Sequence, residues 1–256
     1  MKYLALFVFV LFCNTTVACS CREVKLMDRF ERADFVATAQ IEKITPDSNK
    51  EYHNIEIKIG EIFKGTQTTK MKIESMLTSS CAFYTPVKSN WLIFAYENDN
   101  KELVFGSCSG AVQLDRKVNE ERYPGITKKI ERSNQRKLSL LRFIKQKGLN
   151  IKNEFRLNYT FLNNGLDQAK GFDLEEGSFA LFNIEVSEKL KVKKVSIVKA
   201  FENESINEII TKCFKESFIF YNNDQSKIPK TTEITVGIFY YAAEGEHQSF
   251  VSTNAL

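Results

Sequence analysis

The sequence predicts a mainly β protein, its first half curled into a sandwich or barrel with flanking helices and its remainder forming a small α+β domain. Three observations predict this. Five short apolar or alternating runs lie between Phe35 and Phe105 with little helix between them, as in a sheet that doubles over or closes on itself. The apolar phase of the second run slips at Gly60, as it does at a β-bulge that lets a small sheet bend. A basic amphipathic run, Ile126 to Lys147, then separates this block from residues 154–256, which carry a mixed helix and strand pattern of their own.

In chain order, Leu26, Met27 and Phe30 are spaced as the apolar face of a short helix over Lys25 to Ala33, and Phe35 to Ile44 continues as a strand. Thr45-Pro46-Asp47-Ser48-Asn49 is a turn. Ile55, Ile57 and Ile59 alternate as a half-buried strand does, and the apolar phase then passes to Ile62 and Phe63. Met71, Ile73 and Ser75 to Leu77 form another strand, and Trp91–Tyr96 with Leu103–Phe105 form a hairpin about Glu97-Asn98-Asp99-Asn100. Ile130, Leu138, Leu141 and Ile144 share one helical face, opposite a Lys- and Arg-rich face expected to be solvated surface. Gly148 ends that helix, and Asn150 to Asn153 reads as a linker, so the domains run over 19–148 and 154–256. In the second, Phe179–Val186 and Val192–Val198 are strands, Ser205–Cys213 is a helix, and Glu233–Ala242 is a long final strand.

Composition narrows the function. Of 256 residues, 36 are basic and 32 acidic, and no long basic block concentrates the net charge of +4, so nucleic acid is not an expected partner. The two histidines, His53 and His247, stand outside any ligand-spaced motif, which argues against a His-built zinc enzyme and leaves no cofactor implied. Gly106 and Gly110 lack the Lys and the helix of a phosphate loop, and Glu120-Glu121 and Glu175-Glu176 lie in polar, solvated segments. The neighbours Ile209, Ile210 and Phe214 make Cys213 a buried free thiol, and as a nucleophile it could call only on distant histidines. The chain reads as a non-enzyme.

The amino end sets the compartment. Met1-Lys2, an apolar run Tyr3 to Phe12, polar Asn14-Thr15-Thr16 and the small pair Val17-Ala18 form a secretory signal peptide over 1–18. The run is too short to span a bilayer, and no later segment approaches about 20 apolar residues. Cleavage after Ala18 makes Cys19 the first mature residue. An ordinary signal peptidase leaves Cys19 with a free α-amine, in a secreted, extracellular protein. A bacterial lipoprotein signal instead lipidates that cysteine, placing the protein in the periplasm or on the outer membrane, although Thr16 stands where such signals prefer Leu. Export favours disulfides among Cys19, Cys21, Cys81 and Cys108. Cys19 and Cys21 flank one residue and cannot easily bond each other, which leaves Cys19–Cys81 with Cys21–Cys108, or the crossed alternative. Each long loop would restrict the unfolded chain by roughly 4 kcal/mol on the entropic model. The spacing lacks the C-x-x-C knuckles of structural zinc sites.

An opening Cys19-Ser20-Cys21, a short helix, a strand ending Ile62-Phe63-Lys64-Gly65, a mid-domain Cys81 and a Cys108 after a hairpin together resemble the tissue inhibitors of metalloproteinases. More broadly, residues 19–147 resemble the netrin-like module. The resemblance implies an OB-type five-stranded barrel with flanking helices and the pairings Cys19–Cys81 and Cys21–Cys108. It also implies that the α-amine and carbonyl of Cys19 chelate the zinc of a target metallopeptidase, with Ser20 directed to the protease's first primed-side pocket. The chemistry is coherent, because protease zinc keeps an open position for water and an α-amine with a pKa near ~8 yields its proton readily. The stretch Thr78 to Pro86, beside Cys81, would supply a flanking contact loop. The chain departs from these inhibitors in lacking their third disulfide here, and in carrying one cysteine where their second domain holds six. The order strand, helix, strand over 192–241 faintly resembles the C-terminal module of TonB-type transducers, and with the Lys-, Asn- and Ile-rich composition points to a bacterial source.

Overall fold

A computed structural model describes residues 20–255 apart from 22, 49, 163 and 224–226; the expected signal peptide 1–18 and Cys19 lie outside the described residues. A short helix α1 (Leu26–Arg32) precedes strands β1 (Phe35–Pro46), β2 (Tyr52–Lys64), β3 (Lys70–Glu74), β4 (Asn90–Glu97) and β5 (Leu103–Gly106). These five pair in the order β1-β2-β3-β5-β4, and β4 returns to β1 with Phe35 opposite Ala95 and Gln40 opposite Asn90. The sheet is therefore a closed barrel. Only β3 and β5 run parallel, so the barrel is mixed, consistent with the expected OB-type arrangement. A two-residue strand β6 (Val112–Gln113) adds to β4 at its amino end.

The expected bend is a bulge on β2. Thr38 pairs with Glu61 and Ala39 with Ile59, so Gly60 is the unpaired extra residue. Thr38 Oγ1 accepts the Glu61 N–H at 2.9 Å, and a Cβ on Gly60 would lie 2.8 Å from that same oxygen. Glycine there gives the hydroxyl room to take over a ladder hydrogen bond that the bulge breaks.

Strands β1 and β4 are buried on both faces, which is why they read as continuous apolar runs. Phe35, Ala37, Ile41, Trp91, Ile93 and Ala95 fill the barrel, whereas Val36, Leu92 and Phe94 point outward into a second core. That core is closed by Leu26, Met27 and Phe30 of α1 and by Leu138, Leu140, Leu141 and Ile144 of α2 (Ile126–Lys147). Helix α2 stops where expected: Gly148 is left-handed (φ 59°), and the Leu149 N–H donates to Ile144 O at 3.0 Å.

The far wall of this second core belongs to the other half of the chain. Strands β7 (Asn158–Phe161), β8 (Phe179–Ser187), β9 (Val192–Lys199), β10 (Phe218–Tyr221), β11 (Thr231–Tyr241) and β12 (Phe250–Ser252) flank helix α3 (Glu204–Glu216). A four-stranded antiparallel sheet, β12-β11-β8-β9, turns Phe179, Leu181, Phe239 and Tyr241 towards α1 and α2. Its alternate residues Phe182, Ile184, Val236 and Ile238 face α3 and the aromatic β7–β10 pair. The layers are thus barrel, helices α1 and α2, sheet, then α3 with β7–β10.

Several expectations need correction. Thr45 and Pro46 extend β1, and the turn begins at Asp47. Ser75 to Leu77 is not strand, because Met76 takes φ 43° and the Ser75 N–H turns away to Glu51 O. Strand β11 is not the last, since β12 pairs with it. The segment 150–153 is packed rather than a tether: Ile151 and Asn153 are buried, and the Asn153 amide bonds Asp28 Oδ1 at 2.7 Å and both backbone groups of Leu157. The charged side of α2 is not all solvated, since Arg136 is 6% exposed and pairs with Glu176 at 2.6 Å.

Candidate functional site

Three segments converge on one end of the barrel. The first is the amino-terminal stretch, where Ser20 and Cys21 are exposed and precede α1. The second is the turn after β5, whose exposed Cys108 forms the bridge to Cys21, 87 residues away in sequence. The third is the loop 78–87. Its Phe83 packs edge-on against Trp91 and Phe105 at 5.5 and 6.1 Å, while Tyr84 and Val87 are 68% and 50% exposed. Phe105 lies three residues before Cys108, so loop and turn share a footing on β5.

Arg29 ties the first two segments together. From α1 its guanidinium donates to Val24 O at 3.1 Å and to Gly110 O at 3.3 Å, above the Phe94 ring. Burial lowers its pKa, opposed by the nearby Tyr96 and Glu23. The disulfide and this arginine hold the chain start at two points, one covalent and one a charged hydrogen-bond fork.

Helix α1 also fastens the chain start to the second half. Lys25 Nζ donates to Tyr159 O at 2.9 Å and lies 4.5 Å above the Tyr159 ring. Burial lowers the Lys25 pKa, and Asp28 and Glu23 pull it back. Burial raises the pKa of Asp28, while the Asn153 amide, Arg32 and Lys25 favour its charged form.

Of the expected site residues, Ser20, Cys21 and Cys108 meet at this end. Cys81 is half-buried and disulfide-bonded; the expected Cys19–Cys81 pairing and the chelating groups of Cys19 lie outside the described residues. Cys213 is a buried free thiol on α3, as expected, its pKa raised first by burial. His53 is buried on β2, and His247 is exposed beyond β11 in a short bridge with Glu244. Among the described residues no three His, Cys, Asp or Glu side chains gather as a metal site, and no helix is long and apolar enough to cross a membrane. Sequence reasoning missed Arg29 and the Asn153–Asp28 contact. Arg29 sits on the polar side of an amphipathic pattern, where nothing marks it out from Arg32.

The chain matches no model of a known protein family. No curated protein is similar enough to count as a relative.

Proposed function

We propose that the protein is an exported, netrin-like inhibitor of a zinc metallopeptidase, acting through the free amine and carbonyl of a mature amino-terminal Cys19. One observation carries this reading: the exposed Ser20-Cys21 stub is riveted to the barrel end by Cys21–Cys108, beside an exposed loop bearing Tyr84 and Val87. A donor pair displaces zinc-bound water effectively only if its ordering cost is met beforehand, and the bridge and the Arg29 fork supply that ordering. Ser20 would occupy the first primed-side pocket, and loop 78–87 would flank it. A disulfide on the surface suits an extracellular or periplasmic setting.

A second reading has its own observation. Lys25 and Asp28 fasten the same segment to the second half, as an exported binding or envelope module with purely structural disulfides would need, lipid-anchored at Cys19. The two readings are exclusive at one atom, because acylating the Cys19 amine destroys the chelator. Mass spectrometry of the mature terminus and inhibition of a panel of zinc endopeptidases, with and without one Ala added before Cys19, separate them. Chelation predicts a free terminus and inhibition abolished by the extension. An acylated terminus, or inhibition that survives the added residue, refutes it.

A further inference from the structure

A groove of about 720 Å³ opens between loop 82–84, β6 and the outer side of α2, within the size range of ligand clefts, about 300–1,000 Å³. Its floor is apolar, made by Phe83, Trp91 and Val112, with Tyr84 at the rim. Its charged lining is of one sign, from Arg116, Lys129 and Lys137, and among the described residues no carboxylate lines it. Of the acids next to lining residues in sequence, Asp115 is already held by Asn90 and Gln113, and Glu131 is exposed on α2 and does not line the groove.

These cations have little compensation among the described residues. Neither Arg116 nor Lys137 forms an ion pair among the described residues, and Lys129 reaches Glu244 at 3.8 Å through two largely exposed side chains, a contact worth little. Lys137 Nζ bonds the Ser133 hydroxyl, and the charges that act on it most, Arg136 and Arg29, are cationic. Burial beside them pulls its pKa down to about 8. The site therefore holds a partly buried positive charge that an incoming anion would stabilise.

We infer that this groove is a docking site for an acidic, aromatic-bearing peptide segment of a partner protein. An apolar floor between cations asks for carboxylates flanking a ring, as an acidic peptide carries them; a sulfated sugar has no aromatic ring, and with Trp91 buried and Phe83 half-buried the floor offers no open ring face on which a nucleic-acid base could stack. Lys129 and Lys137 both line the groove from α2, eight residues apart and about 12 Å along the axis. In an extended peptide, residues i, i+2 and i+4 share a face, and the outer two lie about 13–14 Å apart. The pattern Glu-x-Phe-x-Glu would set both carboxylates on the lysines and the ring on the floor. The site goes beyond the inhibitor reading and requires nothing of Cys19.

The test is fluorescence anisotropy of the full mature chain with a labelled Gly-Glu-Ser-Phe-Ser-Glu-Gly peptide. Saturable binding below about 1 mM is expected, weaker by about tenfold for the peptide with Lys in place of both Glu. Arg116 is exposed, so Arg116→Glu should leave the fold intact and weaken binding at least about fivefold, and Lys137→Gln should act in the same direction. Equal binding of the two peptides, an unchanged affinity in Arg116→Glu, or no binding at about 1 mM would overturn the inference. So would tighter binding of a sulfated oligosaccharide than of the acidic peptide.

Discussion

Replacing Lys137 by Met should stabilise the protein at neutral pH and lose that advantage in alkali. Burial next to Arg136 and Arg29 takes the ammonium from 10.5 to about 8. At about 1.4 kcal/mol per pH unit, this costs the folded state about 3 kcal/mol while both states are protonated. Below about pH 8 the whole penalty is present. Between about 8 and 10.5 the folded lysine gives up its proton while the unfolded one keeps it, so stability conferred by this group rises with pH. Above 10.5 both forms are neutral and the penalty is gone. Met keeps the aliphatic length but gives up the bond to Ser133, worth about 1 kcal/mol. Lys137→Met should therefore be more stable than the parent by about 2 kcal/mol near pH 7, and no more stable, or slightly less, near pH 10.5. Urea unfolding followed by Trp91 fluorescence, with disulfides intact, measures both proteins at each pH. Taking the difference cancels the tyrosines and other lysines that titrate in the same range. A gap that does not change with pH, or a parent more stable than the variant at neutral pH, would refute the reasoning.

Asn153→Ala strips partners from Asp28 and from both backbone groups of Leu157; a loss of about 2–3 kcal/mol is expected in urea unfolding, and a loss under about 0.5 kcal/mol would show the contact idle. Gly60→Ala should cost about 1–2 kcal/mol through its clash with Thr38 Oγ1. Combined with Thr38→Ala it should cost less than the sum of the single changes, and a strictly additive double-mutant cycle would deny the shared cause. Removing the bridge with Cys21→Ser and Cys108→Ser opens a loop of 87 residues' separation; the entropic model puts the loss at about 4–5 kcal/mol. Limited proteolysis should then cut before α1, and a terminus as protected as in the parent would show that the remaining fastenings, the Arg29 fork and the Lys25 contact among them, suffice to hold it.

Much of the barrel was legible because its signals are local. Ile55, Ile57 and Ile59 alternate, Gly60 breaks their phase, and Gly148 stops a helix by conformation alone. What stayed hidden depends on partners distant in sequence. Val112–Gln113, Asn158–Phe161 and Phe218–Tyr221 are too short to carry a period, and they become strands only by pairing. Arg136 and Lys137 sit in a run of like residues, and only the sheet and groove around them decide which are buried. Asn153 looks like linker composition, yet it fills a polar gap that exists only once α1 and Leu157 are in place. At the site, cysteine spacing left Cys21 a choice of Cys81 or Cys108 and only the resemblance pointed to Cys108, whereas the Arg29 fork needs Val24 and Gly110 already in position.

The second core sets a schedule for the growing chain. Met27 and Phe30 emerge about 210 residues ahead of Phe239 and Tyr241, which are among the walls that cover them. At a synthesis rate of about 5–20 residues per second, the apolar face of α1 waits on the order of 10–40 s for its last neighbours. The barrel can close well before that, since its latest strand ends at Gly106. A nascent molecule thus passes through a stage with a finished barrel and an uncovered helix beside it, a natural client for holding chaperones. The segment about α1, made well ahead of those walls, would be among the last to reach its final setting.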